Sequence, residues 1–364
     1  MRKGKIKENN IIAILDLNMK EALLNASNDQ DSSISSSENI FKKTTDKIFN
    51  ANLNENVPSN SFSSDNKEYK VEIAWLNVVI FSILHITAIC GLFVLLNSSW
   101  RVLLFFSIYL MFGGLGITAG AHRLWAHRCY KANLPLRIFL MLAQSSAHQN
   151  SIYEWVRDHR VHHKFTDTNA DPHNSTRGFF FSHIGWLLCK KHPDVKQKGK
   201  TVDMSDLVED PVVKFQKKYF YPVTLFLTLL FPVGFLHHVI GIGYGSAFLI
   251  TVTRYIWSLN VTWLVNSAAH IWGMKPYDRN IRPTENKFVS IATGGEGWHN
   301  YHHVFPWDYK AAELGDYTLN STTCFIDIMA KIGWAFELRT ASRPMIKNRI
   351  SRTGDGSWKN TDQF

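Results

Sequence analysis

Cysteine is scarce: Cys90, Cys129, Cys189 and Cys324 are the only four in 364 residues, and no two stand in a C-x-x-C spacing. Neither a disulfide framework nor a thiolate-based metal site is suggested, and reduced thiols are the reading. No cleavable leader is visible either, because Ile11 to Leu15 is too short for the apolar core of a signal peptide and polar residues follow it. Charge is nearly absent from four blocks, at about 71–96, 102–121, 219–242 and 245–265. Each is near the ~20 residues a helix needs to cross a bilayer, so an ordinary water-soluble domain is excluded. The net charge of +10 would suit nucleic acid or an anionic membrane surface, and its sign alone does not choose between them.

Residues 1–70 are rich in Asn, Ser, Asp and Lys and poor in aromatics. They cannot bury enough apolar surface to offset their ordering entropy, and the expectation is a disordered polar tail. The first two apolar blocks meet at the short turn Asn97 to Trp100, and the last two at Gly241 to Gly245, which makes each pair antiparallel neighbours. Between the pairs, residues 122–218 carry sixteen Lys/Arg against nine Asp/Glu. The positive-inside rule puts this stretch on the cytosolic side, and four crossings return residues 266–340 to the same side. Leu134 to Ala143 is apolar but too short to cross, and reads as a core or interfacial helix. Pro222 and Pro232 are expected to kink the third span. The fold class that follows is an all-α integral membrane protein, with four transmembrane helices and a cytosolic helical cap.

Nine of sixteen histidines fall in three boxes plus His270. The boxes are His122 and His127, then His159, His162 and His163, then His299, His302 and His303, the last two sharing an H-x-x-H-H spacing. On a helix, positions i, i+3 and i+4 leave one face, so each H-x-x-H-H presents three imidazoles together. Nine nitrogens exceed what one ion uses, and two ions are the economical reading. His122 and His127, five apart, turn about 140° from each other on an α-helix. They are expected to serve different ions or to bracket the helix end. Imidazole suits Zn, Cu, Fe and Ni, and the absence of sulfur from the boxes argues against Cu(I) and iron–sulfur clusters. Glu154, Asp158, Asp167, Asp171, Glu296 and Asp308 are candidates to fix imidazole tautomers. His85 and His148 read as core residues, and His237 with His238 as interfacial ones.

The segments GITAGAHRLWAHRCYKA (116–132), YEWVRDHRVHHKF (153–165), DPHNSTRGFFFSHIGWLL (171–188), NSAAH (266–270) and GEGWHNYHHVFPWDY (295–309) resemble the membrane-bound fatty acyl-CoA desaturases of the stearoyl-CoA (delta-9) type, and look like an insect member. The resemblance implies a desaturase domain over 71–340, followed by a C-terminal tail at 341–364. It implies two iron ions (Fe2+) held by the nine histidines named above, with Asn266 reaching one of them through water. It also implies that Asn77, Asn150, Arg157, Asp158, Lys190, Lys191 and Trp263 contact the acyl-CoA, and that Gln149, Trp155 and Thr262 shape a bent tunnel. Lys190 stands where family members often carry Arg, and a lysine lacks the bidentate grip on phosphate. Phe106 and Leu110, one turn apart on the second span, are expected at the closed end.

The activity implied is insertion of a cis double bond, at delta-9 or delta-11, using dioxygen and electrons from cytochrome b5 and its NADH-dependent reductase. No His-Pro-Gly-Gly haem motif occurs in the chain, so the donor is expected to be a separate partner. The setting implied is the endoplasmic reticulum membrane, with both termini cytosolic, membrane lipid around the spans and no nucleic acid. A membrane di-iron hydroxylase or acetylenase would share the boxes. A non-catalytic multispan protein that binds zinc or senses pH is the other class.

Overall fold

The computed structural model describes residues 70–358 except 314–316, and the expected polar tail lies almost wholly outside the described residues. Among the described residues, four helices are long and apolar enough to cross a membrane: Trp75–Leu96, Trp100–Ala126, Phe220–Ile240 and Tyr244–Ile271. The first, α1 (Trp75–Leu96), rises about 33 Å at ~1.5 Å per residue, enough for a bilayer core. It exposes Leu76, Ile83, Ile86, Ile89 and Phe93, as a lipid-facing helix does. The second begins as α2 (Trp100–Leu115) and widens into a π-helix over Gly116–Ala126.

The chain then leaves the membrane and builds the cap. Helix α3 (Leu134–Ala147) starts at Asn133, whose side chain accepts from Leu136 N, and has Pro in its first turn. It does not cross. Leu136, Leu140 and Met141 bury their side chains in the largest apolar cluster, with Trp125, Ile152, Val156 and Ile326. Helix α4 (Ile152–Lys164) opens on a capping box in which Ser151 and Glu154 satisfy each other's backbone donors. Short helical turns lead to α5 (Pro211–Lys218), capped by Asp210.

The third span, α6 (Phe220–Ile240), alternates α and π geometry, with π segments at Phe226–Leu230 and Leu236–Ile240. Each follows a proline, Pro222 or Pro232, so the missing backbone donors are absorbed in widened turns. The fourth span holds α7 (Tyr244–Asn266). Beyond it lie α8 (Lys287–Thr293), α9 (His299–Val304), α10 (Ser321–Lys331) and α11 (Arg343–Thr353). The sole sheet among the described residues pairs β1 (Lys131–Ala132) antiparallel with β2 (Ala335–Phe336).

The C-terminal stretch named as a tail at 341–364 is helical over Arg343–Thr353. Ile346 of α11 is buried with Tyr277, Tyr301 and Phe305, and Arg349 pairs with Asp278, so the segment to 358 is folded onto the cap. The reason is compositional: Met345, Ile346 and Ile350 give an otherwise basic helix a narrow apolar stripe.

Span packing depends on close approach. A Cβ on Gly91 of α1 would stand 2.4 Å from Leu249 O of α7, whereas one on Gly114 would meet nothing within 4 Å. Gly91→Ala is therefore expected to lower stability by ~1–3 kcal/mol, as overpacking does. Gly114→Ala should leave it unchanged or slightly raised. Thermal denaturation of the two variants in detergent checks the contrast.

Candidate metal centre

The nine boxed histidines converge. His122, His127, His159, His163 and His302 form one group, and His162, His270, His299 and His303 a second, with ligand atoms in each lying within 4.8 Å of one another. The two H-x-x-H-H boxes are used in mirrored fashion. On α4 the i and i+4 residues, His159 and His163, enter the first group while His162 enters the second. On α9 His299 and His303 enter the second while His302 enters the first. The groups share a wall where the His163 and His303 rings stack at 4.1 Å.

His122 and His127 join the same group, and their separation between ions is corrected. The segment is a π-helix, in which His127 N donates to His122 O across five residues at 3.1 Å. A turn of that width brings i and i+5 back to one face, and π-turns recur at functional sites. The two rings stand 5.0 Å apart, and each is within 4.9 Å of the His159 ring. His127 does bracket the helix end, since it follows the last helical residue.

Inward Nε2 atoms approach closely: His122 to His302 at 2.9 Å, His127 to His159 at 2.8 Å, His302 to His163 at 3.1 Å, and His299 to both His270 and His303 at 3.0 and 3.1 Å. Ligands at right angles around an ion with bonds of ~2.1 Å sit about 3 Å apart, so this spacing fits coordination. Tautomers fit it too. His122 Nδ1 donates to Glu296 at 2.7 Å, His162 Nδ1 to Asp171 at 2.9 Å and His270 Nδ1 to Asp167 at 3.2 Å. With Nδ1 holding the proton, each of the three turns an Nε2 lone pair inward.

Of the six acids considered from the sequence, Glu296, Asp171 and Asp167 take this role. Glu154 is committed to its capping box, Asp158 pairs with Arg157 and Lys191, and Asp308 accepts from Tyr301 and Ala341 N. Two residues escaped the sequence reading. Arg123, fully buried, donates to Glu296 at 2.8 Å and to Tyr309 O and Thr323 Oγ1, each at 2.9 Å. His173 stands 3.4 Å from the far oxygen of Asp171. Burial alone would raise the Glu296 carboxyl, but Arg123 and His122 outweigh it and bring it down to about 2. Burial, and then the repulsion that charges on adjacent rings would exert on one another, hold His127, His159, His163, His299, His302 and His303 well below the ordinary imidazole value. Rings that resist protonation keep a lone pair free for a cation.

A cavity of about 340 Å3 runs from these groups into the spans. His122, His159, His162, His299 and Asn266 border it at the polar end with Trp155, whose ring lies 4.9 Å from that of His159, and Thr262, Leu110 and Met111 of the spans also line it. Gln149 stands behind the wall and donates to Thr262 Oγ1 at 2.9 Å. Phe106 does not border the cavity; it is buried with Leu95, Val102, Leu236 and Ile250, and Leu110 packs against that cluster. None of the seven residues expected to contact the acyl-CoA borders it. Asn77 donates to Leu187 O at 2.8 Å, Trp263 packs against Phe81 and His85, and Asn150 sits in the turn before α4. Arg157, Asp158 and Lys191 form one ion-pair group, and Lys190 pairs with Glu72. His85 bonds to Phe81 O and Asn260, His148 lies against Phe220 and Tyr255, and His237 stacks on Tyr244, all outside the two groups.

Fold and site together define a multi-pass membrane protein with paired histidine sites at the mouth of an apolar cavity. Residues 97–313 match the fatty acid desaturase family. The chain is 56% identical over 291 residues to an acyl-CoA Delta-9 desaturase of Acheta domesticus, covering 79% of this chain and 81% of that one. It is 53% identical over 294 residues to an acyl-CoA Delta(11) desaturase of Spodoptera littoralis, covering 79% and 86%. To the stearoyl-CoA desaturase of Homo sapiens it is 51% identical over 291 residues, covering 80% and 81%. The chain belongs to the fatty acid desaturase family.

Two outcomes follow. Glu296→Gln is expected to weaken metal retention in the His122 group by about 10–100-fold, as loss of an orienting carboxylate does. Chelator competition with metal analysis checks it, and unchanged retention contradicts it. In metal-stripped protein the depressed imidazoles stay neutral when folded, while the unfolded chain protonates them near ~6.5. Between those values the unfolded state binds more protons, so this stability is full above ~6.5 and is lost as pH falls. Melting at pH 5.5 should therefore come at lower temperature than at pH 7.5.

Proposed function

We propose that the chain is an acyl-CoA desaturase which inserts a cis double bond into a saturated acyl chain, at delta-9 or delta-11. The observation that carries this reading is the continuity of the apolar cavity with both histidine groups. An acyl chain seated there would present one carbon–carbon bond to the nitrogens. The five nitrogens of one group and the four of the other would hold two irons, with Asn266 beside them. When bound, such a pair supplies with dioxygen the oxidising power that no side chain has.

The chain's own residues do the rest. Glu296, Asp171 and Asp167 keep three imidazoles in the ligating tautomer and hold their protons at Nδ1. Leu110, Met111, Trp155 and neighbouring span residues exclude water along the cavity and limit the poses of a flexible chain. Arg157, Lys190 and Lys191 lie on the polar side, where cations suit the phosphates of CoA; the Asp158 contacts of Arg157 and Lys191 and the Glu72 contact of Lys190 would be exchanged for them on binding. Asn77, Asn150 and Trp263 are read as further contacts to the acyl-CoA, and Gln149 and Phe106 as supports behind the cavity wall.

In this reading electrons come from cytochrome b5 and its NADH-dependent reductase, docked on the polar face as separate proteins. The membrane is the endoplasmic reticulum, and the histidine groups face the cytosol with both termini.

Expression in a desaturase-deficient yeast, with double bonds located in the extracted lipids, tests the reading. Unsaturated acyl chains are expected, and a hydroxylated or acetylenic product in their place would overturn it. Purified protein should carry about two irons per chain; zinc with no NADH consumption would favour a non-catalytic role. Because Leu110 borders the cavity, Leu110→Ala is expected to extend acceptance to longer acyl chains, read as the chain-length profile of the products.

A further inference from the structure

The turn between α3 and α4 holds the least relaxed backbone near the cavity. His148 (φ 48°) and Asn150 (φ 65°) both occupy the left-handed region, which non-glycine residues adopt only when their surroundings hold them there. What holds them is a buried polar network reaching in from three other helices. Gln144 Nε2 donates to Asn150 O at 2.8 Å, and Gln216 Nε2 of α5 donates to Gln144 Oε1 at 2.7 Å. Gln216 Oε1 accepts from Ile152 N at 3.0 Å, the first residue of α4. Thr228 of α6 stands 3.3 Å from both Ser145 O and Ser146 O.

The remaining member is the most unusual. Arg254 of α7, 2% exposed inside a membrane span, donates from Nη2 to Ser146 O at 3.1 Å and lies over the Tyr109 ring at 5.0 Å. Its position matches a cation to the negative end of the α3 dipole. Yet its Nε and Nη1 find no partner among the described residues, so an apolar side chain would fill this place at lower cost in desolvation. A role in setting geometry accounts for the arginine where packing does not.

The geometry it sets leads to the cavity. Gln149, between the two strained residues, donates to Thr262 Oγ1 at 2.9 Å, and Thr262 in turn donates to Ser258 O at 3.0 Å. Thr262 and Ser258 border the cavity, and Thr262 lies one helical turn from Asn266. Arg254, Gln144 and Gln216 do not border it.

We propose that Arg254, with Gln144 and Gln216, is a positioning device: through the strained 148–150 turn and the Gln149–Thr262 hydrogen bond it fixes which carbon–carbon bond of the acyl chain stands against the histidine groups. The proposal rests on the acyl-CoA desaturase reading. A shift of the cavity wall of about 1 Å is enough to change which atoms react, so loosening the turn should blur the double-bond position before it abolishes turnover.

The experiment expresses the full chain and its Arg254→Lys and Gln144→Met variants in desaturase-deficient yeast, and measures the ratio of positional isomers in the products. The ratio counts only molecules that turned over, so loss of fold lowers the yield and leaves it unmoved. Arg254→Lys keeps the charge without the planar fork, and Gln144→Met keeps the volume without the donor. Each is expected to raise the minor positional isomer at least fivefold. Should both variants lose all product, Thr228→Val, which removes only one hydroxyl from the network, is expected to give a smaller shift in the same direction. An unmoved ratio in every active variant overturns the proposal and leaves the network a purely structural one. A parent chain that makes no alkene is a different result: it overturns the acyl-CoA reading, and the proposal with it.

Discussion

The constraint on which the rest depends is that nine imidazoles must be crowded together, mostly out of water, with their lone pairs converging. Burying so many nitrogens is costly unless each finds a partner. The protein meets the requirement for three of them on the outer side of the cluster, where Glu296, Asp171 and Asp167 accept the Nδ1 protons of His122, His162 and His270. Arg123, fully buried, balances the charge of Glu296 and ties it to α10 through Thr323. The inner side is left to nitrogen atoms about 3 Å apart, a spacing that suits a shared cation.

The fold serves that requirement. Four spans anchor the polypeptide, and the second and fourth run past the membrane blocks seen in the sequence to deliver His122 and His270 to the cap. The π-helix at Gly116–Ala126 brings His122 and His127 to one group, and the mirrored use of the boxes on α4 and α9 lets each helix serve both. Each pair at i and i+4 enters one group while the residue between them enters the other. The two sites therefore cannot move apart without breaking both helices.

Much of this was legible beforehand, because it follows from patterns with a single period. The apolar blocks lie within a few residues of the spans, apart from the extensions of the second and fourth, where His122, Arg123 and His270 break the apolar run yet the helix continues. The repeated H-x-x-H-H spacing announced two faces of histidine. What could not be read was the offset between His122 and His127, since the calculation assumed 3.6 residues per turn and the chain adopts a wider one. Arg123 and Arg254 were invisible for a related reason: an arginine in sequence carries no mark of burial, and only tertiary partners such as Glu296 and Ser146 O reveal it. The folding of 341–358 onto the cap was hidden by a basic composition around three apolar residues.

The measurement closest to the central claim is anomalous diffraction at the iron edge from crystals of iron-loaded protein. The account predicts two peaks per chain, one inside the group of His122, His127, His159, His163 and His302, the other inside the group of His162, His270, His299 and His303. A single peak shared between the groups, or peaks outside both, would contradict it.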